Sequence, residues 1–252
     1  MTADALPLAR ALIERRRNQR LLPFNAELTP RDINESMAIQ GVVAHAVGAS
    51  VAGWKVGYTP DMIPVAAPLY AQVMHQSGAR LRIGPSGESG IEVELALRLR
   101  HDLPPRPGAP YNRNDILNAT QAILAGVEIV ESRFPREPRP SFLALLADNI
   151  SNGAYVCGSD VKVDSALDLG SLRVLLAVDG RLIHEGVGGH ASGDPLAPVI
   201  DYANRPCDVF GGLKAGQIVT TGSLSGCPFI QGACRIEASI DGLGKVALEI
   251  AG

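Results

Sequence analysis

Apolar and polar residues alternate along the segment GIEVELALRLR, residues 90–100. Because successive side chains of a strand point to opposite faces, this alternation predicts a strand with two chemically different faces. One face would carry the apolar residues Ile91, Val93, Leu95, Leu97 and Leu99. The other would carry Glu92, Glu94, Ala96, Arg98 and Arg100. Such alternation usually marks a solvated polar face, although two carboxylates on one face can also reach a common ligand.

The first 48 residues or so carry a helical pattern. The apolar stripe of a first helix is formed by Leu6, Ala9, Leu12 and Ile13. The segment LTPRDINESMAIQGVVAHAVG predicts a second helix, with Thr29 as N-cap, Pro30 at the first helical position and Gly48 closing it. We therefore expect a helical segment over residues 1–50 and a catalytic mixed-β domain over residues 51–252.

Beyond residue 50 the chain has the pattern of short strands with helices between them. VAGWKVGYT is short, apolar and interrupted by glycine, and it predicts a strand. RNDILNATQAILAG predicts a helix over residues 113–126 that leads directly into a strand at VEIVESRF. GDPLAPVIDYAN predicts a short helix with Asp194 as N-cap and Pro195 at its first position.

Two hairpins are predicted in the last third of the chain. In LRVLLAVDGRLIHEGVG, two apolar runs flank Asp179-Gly180, a residue pair typical of a type I′ turn. CRIEASIDGLGKVALEI has a similar pattern around residues 241–244. Hairpins pair their strands in antiparallel fashion, which argues against a doubly wound sheet. The expected fold class is α+β, a mixed, mainly β core with a helical N-terminal segment.

Composition narrows the classes of function. The 252 residues are 46% hydrophobic and 19% charged, with a formal net charge of -3 and 4% aromatic residues. A weakly acidic chain lacks the basic surface that binds nucleic acid or an anionic membrane, and its few aromatic residues argue against stacking on nucleic-acid bases. Its four cysteines form no CxxC pair, so we expect reduced thiols, and no run approaches the ~20 apolar residues of a membrane span. We expect a cytoplasmic protein that acts on a small molecule.

Several tempting motifs do not fit their chemistry. TTGSLSG has the wrong spacing for a nucleophile elbow, and Pro228 follows where a helix would have to begin. GVGGHASG matches no phosphate-binding loop. The five histidines show no metal-ligand spacing, and only His190, beside the glycine-rich loop, is kept as a reserve candidate.

A second acidic segment changes the interpretation of Glu92 and Glu94. GVEIVESRF places Glu128 and Glu131 in an apolar run, where a regular strand would point them to opposite faces. At most one of them could therefore join a site with Glu92 and Glu94. Three carboxylates without histidine or cysteine would select a hard cation, Mg²⁺ or Mn²⁺. Lys55, within GWKVGYT, either extends to the surface, which the pattern alone favours, or lies partly buried and ready for proton transfer.

Six segments together resemble a known family. GWKVGYT, GIEVELALRL, GVEIVESRF, DNISNGAYVCG, SGDPLAPVIDYAN and LKAGQIVTTGSLSG occur in the order, and roughly at the spacing, of the 2-keto-4-pentenoate hydratase / 2-oxohex-3-enedioate (4-oxalocrotonate) decarboxylase family. This family belongs to the fumarylacetoacetate hydrolase superfamily. The resemblance covers the chain from about Val51 onward and implies the β-roll of that superfamily.

The resemblance implies roles for individual residues. Glu92, Glu94 and Glu128 would be the ligands of Mg²⁺ or Mn²⁺, with Glu131 left as an alternative to Glu128. Lys55 would lie over the substrate as acid/base or electrostatic stabiliser, and both Lys55 and Glu128 are candidate catalytic residues. The TGS motif would bind the substrate carboxylate through Ser223, helped by the backbone of Thr221 and Gly222.

The implied activity is the addition of water to a 2-hydroxy-2,4-dienoate in aromatic meta-cleavage degradation, giving a 4-hydroxy-2-oxo acid. The same site could instead decarboxylate a 2-oxo-3-hexenedioate. A third possibility is a silent family member that acts as an assembly subunit, although it would be free to lose the acidic residues and Lys55. The resemblance also implies a homo-oligomer, and association with pathway enzymes is a further expectation that it raises.

Overall fold

A computed structural model describes residues 7–18, 20–23, 25, 28–82, 84, 86–164 and 167–251. The helices are α1 (Pro7–Asn18), α2 (Ile33–Ala46), α3 (Arg113–Ala119), α4 (Phe142–Ala147) and α5 (Ala197–Asn204). The first strands are β1 (Val51–Tyr58), β2 (Pro64–Tyr70), β3 (Met74–Gln76), β4 (Ala79–Arg82), β5 (Glu88–Leu99), β6 (Thr120–Val130) and β7 (Asn152–Cys157). The later strands are β8 (Val161–Lys162), β9 (Arg173–Val178), β10 (Arg181–Val187), β11 (Ile218–Ser223), β12 (Phe229–Gln231), β13 (Cys234–Ile240) and β14 (Gly244–Ala251). The predicted α+β class with a mainly β core is confirmed.

The strands form two sheets. A nine-stranded sheet has the order β2-β1-β11-β5-β6-β7-β3, with β12 added to β5 and β8 added to β6. Its pairs are mostly antiparallel, but β1 runs parallel to β11 and β3 runs parallel to β7. A five-stranded sheet has the order β10-β9-β13-β14-β4. The mixed pairing agrees with the prediction that the protein is not doubly wound.

The main core lies between the two sheets, with α5 packed at one side. On β5, the five predicted apolar residues are all fully buried in this core: Ile91, Val93, Leu95, Leu97 and Leu99. They pack in one cluster with apolar residues of β9, β13 and β14 and with Val199 and Tyr202 of α5. The opposite face of β5 is consequently turned away from the second sheet, and it carries the acidic residues.

Both predicted hairpins are confirmed. Asp179 and Gly180, with φ of 50° and 76°, connect β9 to its antiparallel neighbour β10. Two successive residues with positive φ are what a type I′ turn requires, which is why Asp-Gly is favoured there. The second hairpin joins β13 to β14 through residues 241–243.

The helix predicted over residues 113–126 is wrong in its second half. Asn112 and Asp115 form a capping box that starts α3, but the helix ends at Ala119 and the chain continues as β6. The segment from Thr120 onward pairs with β5 along its length and is buried between neighbouring strands. Long-range pairing of an apolar run has overridden its local helical pattern.

Two predicted N-caps are also wrong. Asp32, not Thr29, caps α2, because its side chain accepts a hydrogen bond from the backbone N–H of Glu35 at 2.8 Å. The other wrong N-cap is Asp194. Helix α5 begins at Ala197, and the Asp194 side chain accepts a hydrogen bond from the Leu196 N–H in the loop that precedes the helix. An aspartate in a loop readily forms such a local turn without starting a helix.

The N-terminal helices pack on the rest of the chain. Leu12 of α1 and Val43 of α2 share a cluster with Ala144 of α4, while Met37 of α2 contacts Val65 of β2. The division into residues 1–50 and 51–252 stays a prediction, and Leu6 lies outside the described residues. All four cysteines are free, and no helix in the described ranges is both long and apolar enough to cross a bilayer.

Candidate metal centre

Glu92, Glu94 and Glu128 converge on the face of the large sheet that is turned away from the main core. Glu92 and Glu128 are direct cross-strand partners on β5 and β6, and Glu94 follows on the same face of β5. One carboxylate oxygen from each residue lies within 4.8 Å of the others. Within the described part of the chain, this is the one group of three or more acidic, histidine or cysteine side chains with such spacing.

The burial of these carboxylates excludes the solvated-face interpretation. Glu94 is 1% exposed and Glu128 is fully buried, while Glu92 is partly exposed. Carboxylates of this kind are rarely buried unless they are paired or bind a cation. The predicted strand geometry therefore holds, and the partner of Glu94 and Glu128 is not water at the protein surface.

The electrostatics of the cluster favour a divalent cation. Burial raises the pKa of Glu94 well above its ordinary value, and Glu128 and Glu92 raise it further, against the effects of Lys55 and Thr220. Burial likewise raises the pKa of Glu128 to about 7, although Lys55 opposes this rise. In the absence of a cation, proton uptake by a buried carboxylate relieves the repulsion among the three glutamates.

Two orphaned oxygens indicate that these residues fit a metal ion. The buried Oε2 atoms of Glu94 and Glu128 each lack a hydrogen-bond partner among the described residues. A buried carboxylate oxygen without a donor is costly, and a hard cation is the partner that oxygen ligands without nitrogen or sulfur would select. The three glutamates could therefore hold Mg²⁺ or Mn²⁺.

Lys55 supplies the compensating positive charge. Its Nζ donates to Glu128 Oε1 at 2.6 Å and to the Ile150 carbonyl oxygen at 2.8 Å. Burial lowers the pKa of Lys55, but Glu128, Glu92 and Glu94 outweigh burial, and the net pKa is raised. The surface interpretation of Lys55 is wrong, since the residue is 7% exposed on a strand paired on both sides.

The segment after α4 holds Lys55 and Glu128 in place. Asn149, Ile150 and Ser151 have φ of 55°, 48° and 58°, a left-handed turn that is rare for residues other than glycine. This turn aims the Ile150 carbonyl at Lys55, and the next residue, Asn152, donates from Nδ2 to Glu128 Oε1 at 3.0 Å. Three consecutive strained residues persist only where the surrounding structure enforces them.

A partly buried arginine, Arg133, binds both ends of that turn. Arg133 donates from its backbone N–H and its Nε to the carboxylate of Asp148, at 2.8 and 2.6 Å. The same guanidinium donates to the carbonyl oxygens of Asp148 and Asn152 at 2.8 and 2.7 Å. Because Arg133 binds both ends of the turn, it fixes the path of the chain that supports Lys55.

The TGS segment lies next to the cluster. Ser223 of β11 pairs with Glu94 in register, and its hydroxyl donates to the Gly226 carbonyl oxygen at 2.7 Å. The Thr221 hydroxyl instead donates to the Leu95 carbonyl oxygen at 2.9 Å, so that side chain is not directed at the cluster. Gly222 has φ of 107°, a conformation that side chains other than glycine rarely adopt.

His190, the reserve candidate, supports the backbone of this segment. Its Nδ1 accepts a hydrogen bond from the Ser192 N–H at 3.1 Å, which leaves the proton on Nε2. Nε2 lies 2.7 Å from the Thr221 carbonyl oxygen, to which it therefore donates. This places His190 behind the TGS segment and outside the group of candidate metal ligands.

Glu131 does not join the three glutamates. Its Oε1 accepts hydrogen bonds from the Gly84 N–H at 2.8 Å and the Ser89 hydroxyl at 2.6 Å. The structure thus brings Glu128, rather than Glu131, to Glu92 and Glu94.

Three residues of the site were missed by sequence reasoning: Asn152, Tyr155 and Thr220. Asn152 and Tyr155 lie within the DNISNGAYVCG segment, which marks the family without revealing what its side chains contact. Thr220 pairs in register with Lys55 and is fully buried. For Asn152 and Tyr155 the available signal was a polar group in a largely apolar strand, whereas Thr220 lies in a strand with several polar residues and gave no such signal.

Sequence comparison with known proteins finds relatives of this chain. No family model matches it. It is 30% identical over 207 residues to 2-keto-4-pentenoate hydratase of Burkholderia vietnamiensis, covering 79% of this chain and 78% of the relative. It is also 30% identical over 217 residues to 2-hydroxyhexa-2,4-dienoate hydratase of Comamonas testosteroni, covering 81% and 80%.

Solved structures share the fold. 4-Oxalocrotonate decarboxylase of Pseudomonas putida, complexed with magnesium and adipate, superposes with a TM-score of 0.85 at 20% identity over 98% of both chains. Fumarylpyruvate hydrolase of Pseudomonas aeruginosa, complexed with Mn²⁺ and pyruvate, gives a TM-score of 0.54 at 16% identity, over 79% of this chain and 88% of that one.

The structure defines an α+β protein with the fold of these solved structures, and its three glutamates could hold a divalent cation. Identity at the level found with the two hydratases identifies the family. The chain belongs to the 2-keto-4-pentenoate hydratase family.

Proposed function

We propose that the protein is a divalent-metal-dependent hydratase that adds water to a 2-hydroxy-2,4-dienoate of the 2-oxopent-4-enoate type, giving a 4-hydroxy-2-oxo acid. The observation that carries the proposal is the convergence of three glutamates with a buried lysine, in a chain 30% identical to hydratases of such substrates. The convergence supports metal-assisted chemistry, and the relatives support hydration as the reaction.

Glu92, Glu94 and Glu128 would hold Mg²⁺ or Mn²⁺. Such a cation, when bound, supplies Lewis acidity toward the oxygens of a 2-oxo acid. Lys55 has two of its three ammonium hydrogens committed, to Glu128 and to the Ile150 carbonyl, and its third is available to a substrate oxygen. We assign to Lys55 the transfer of a proton to and from the substrate.

The TGS segment would bind the substrate carboxylate. Ser223 lies beside Glu94 in the sheet, so a carboxylate bound near it would be close to the metal ligands. To donate to that carboxylate, Ser223 would turn its hydroxyl away from the Gly226 carbonyl oxygen. The backbone of Thr221 and Gly222, braced from behind by His190, would complete this contact.

The test is hydration of 2-hydroxypenta-2,4-dienoate, followed by loss of the dienoate absorbance. Protein freed of metal with a chelator is expected to be inactive, and added Mg²⁺ or Mn²⁺ should restore activity. Glu94→Gln should abolish it. Glu131→Gln is the matched control, because this carboxylate lies outside the cluster, and it should retain activity. Equal rates with and without metal would contradict the proposal.

Decarboxylation is the second candidate, because the solved structure with the TM-score of 0.85 is a decarboxylase. Release of CO₂ from 2-oxohex-3-enedioate, with no hydration of the dienoate, would favour it. A protein that binds Mn²⁺ and 2-oxo acids but turns over neither compound would instead be a silent assembly subunit.

We also propose that the protein is cytoplasmic and forms a homo-oligomer, which is suggested by the family alone. Sedimentation at micromolar concentration tests the second point, and a monomer would contradict it.

A further inference from the structure

Tyr155 is a buried tyrosine with no assigned task. It lies on β7, directly opposite Glu128 of β6, and it is fully buried. Its hydroxyl has no hydrogen-bond partner within the part of the chain that the structure describes. A buried phenol normally finds such a partner, since an unbonded buried hydroxyl has lost its hydrogen bonds to water without replacing them.

A glycine locates this hydroxyl beside Glu94. Gly126 of β6 is the cross-strand partner of Glu94. A Cβ atom added to Gly126 would lie only 1.9 Å from the Tyr155 hydroxyl oxygen. The phenol therefore lies across Gly126, on the face that carries the glutamates, and cross-strand partners on one face have Cβ atoms about 5 Å apart.

One carboxylate oxygen of Glu94 lacks a hydrogen-bond donor, and the Tyr155 hydroxyl could supply one. The Glu94 Oε2 is buried and lacks a hydrogen-bond partner; the Thr220 hydroxyl is near enough to lower the pKa of Glu94 but does not reach this oxygen with hydrogen-bond geometry. Burial, followed by the charge of Glu94, raises the pKa of Tyr155 well above its ordinary value. The phenol accordingly keeps its proton and is a hydrogen-bond donor near an oxygen that needs one.

We propose that Tyr155 is a positioning residue for the metal centre, its hydroxyl supporting the buried oxygen of Glu94 directly or through one enclosed water. This inference rests on the proposed role of Glu94 as a metal ligand. Hydrogen bonds to metal-binding carboxylates orient them and typically change metal affinity by about 10–100-fold. An enclosed water is chemically reasonable, because Tyr155, Glu94 and Thr220 would give it three polar partners.

The test is the affinity of the metal-free protein for Mn²⁺, measured by calorimetry in the absence of substrate. Tyr155→Phe keeps the ring and removes only the hydroxyl, and it is expected to weaken Mn²⁺ binding about 10-fold or more. Tyr111→Phe is the matched control, because the Tyr111 hydroxyl donates to the Pro104 carbonyl oxygen away from the cluster. Its Mn²⁺ affinity should equal that of the wild type.

Thermal unfolding of the metal-free variants separates this role from a structural one. Tyr155→Phe keeps the buried ring and loses only the hydrogen bond toward Glu94, so its metal-free form should stay folded with only a small drop in unfolding temperature. Equal Mn²⁺ affinity in Tyr155→Phe and wild type would overturn the inference, as would equal losses in both tyrosine variants.

The two proposals fail in different ways. A wild-type protein that does not bind Mn²⁺ overturns this inference together with the metal-dependent function. A wild-type protein that binds Mn²⁺ without hydrating the dienoate overturns the proposed function alone, and weaker binding by Tyr155→Phe would still support the role of Tyr155.

Discussion

Lys55 and Glu128 form a buried ion pair, with Nζ and Oε1 2.6 Å apart, although their strands β1 and β6 are separated in the sheet by β11 and β5. Only long side chains directed from the same face can meet across two intervening strands. The pair therefore depends on the register of the whole sheet. It joins the Lys55 ammonium group to one of the three candidate metal-binding carboxylates.

Removing Lys55 should destabilise the metal-free protein. In Lys55→Met, Glu128 loses its charged partner, and breaking a buried pair costs about 3–5 kcal/mol. The loss should be large at pH 8, where Glu128 is ionised, and smaller at pH 5, where Glu128 can hold a proton. Urea unfolding at the two pH values measures this difference. Lys214→Met, which removes an exposed pair with Asp102, should cost less than about 1 kcal/mol at either pH.

The stability of the metal-free protein should fall as the pH rises through 7. The pKa of Glu128 is raised to about 7 from an ordinary value of 4.5, so the folded state holds its proton more tightly than the unfolded chain. The resulting stabilisation is complete below pH 4.5 and is lost as the pH rises through about 7. Mn²⁺ competes with that proton, so its affinity should increase over the same range.

Urea unfolding and Mn²⁺ calorimetry between pH 5 and pH 8 test this linkage. Glu128→Gln should make the stability of the metal-free protein less dependent on pH. A metal-free wild-type protein that gains stability steadily from pH 5 to pH 8 would contradict the assigned direction.

Gly126 should not tolerate a side chain. A Cβ atom there would come within 1.9 Å of the Tyr155 hydroxyl oxygen and 2.4 Å of its ring, and the fully buried ring has little room to move. Gly126→Ala is expected to cost about 1–3 kcal/mol, as overpacking of a core does. Gly57→Ala is the control, since a Cβ at Gly57 meets nothing within 4 Å. Similar unfolding temperatures for the two variants would refute the contact.

The left-handed turn should carry a measurable strain. Ile150→Gly and Ile150→Ala remove almost the same side-chain atoms, but only glycine adopts φ of 48° and ψ of 46° without steric strain. The glycine variant is expected to be more stable than the alanine variant by about 1 kcal/mol. Urea unfolding compares them directly, and an alanine variant at least as stable as the glycine variant would show that the turn is not strained.

The sequence predicted the parts of the site that depend on local periodicity. Glu92 and Glu94 share a face because strand side chains alternate, and Asp179-Gly180 forms its hairpin because both residues accept positive φ. The burial of Lys55 was not predictable in this way. It follows from the parallel pairing of β1 with β11, between segments far apart along the chain.

The supporting residues were hidden for the same reason. Asn152 reaches Glu128 only because Arg133 and the left-handed turn set the start of β7, and no local pattern encodes that turn. Tyr155 has the sequence pattern of an ordinary core residue, and its place beside Glu94 depends on Gly126 of another strand. The prediction for residues 113–126 failed because the local pattern was misleading: strand pairing replaced the second half of a locally favoured helix.

The placement of β11 between β1 and β5 also has a consequence for folding. β11 comes late in the chain, yet it must insert between two early strands before Lys55 can reach the glutamates. Contacts between distant segments close slowly, because the entropy of a long loop is lost before the contact forms. A partly synthesised chain has the three glutamates but not the strand that brings Lys55 to them. The complete centre is therefore a property of the finished sheet, because β11 is the strand through which Lys55 and the glutamates are brought together.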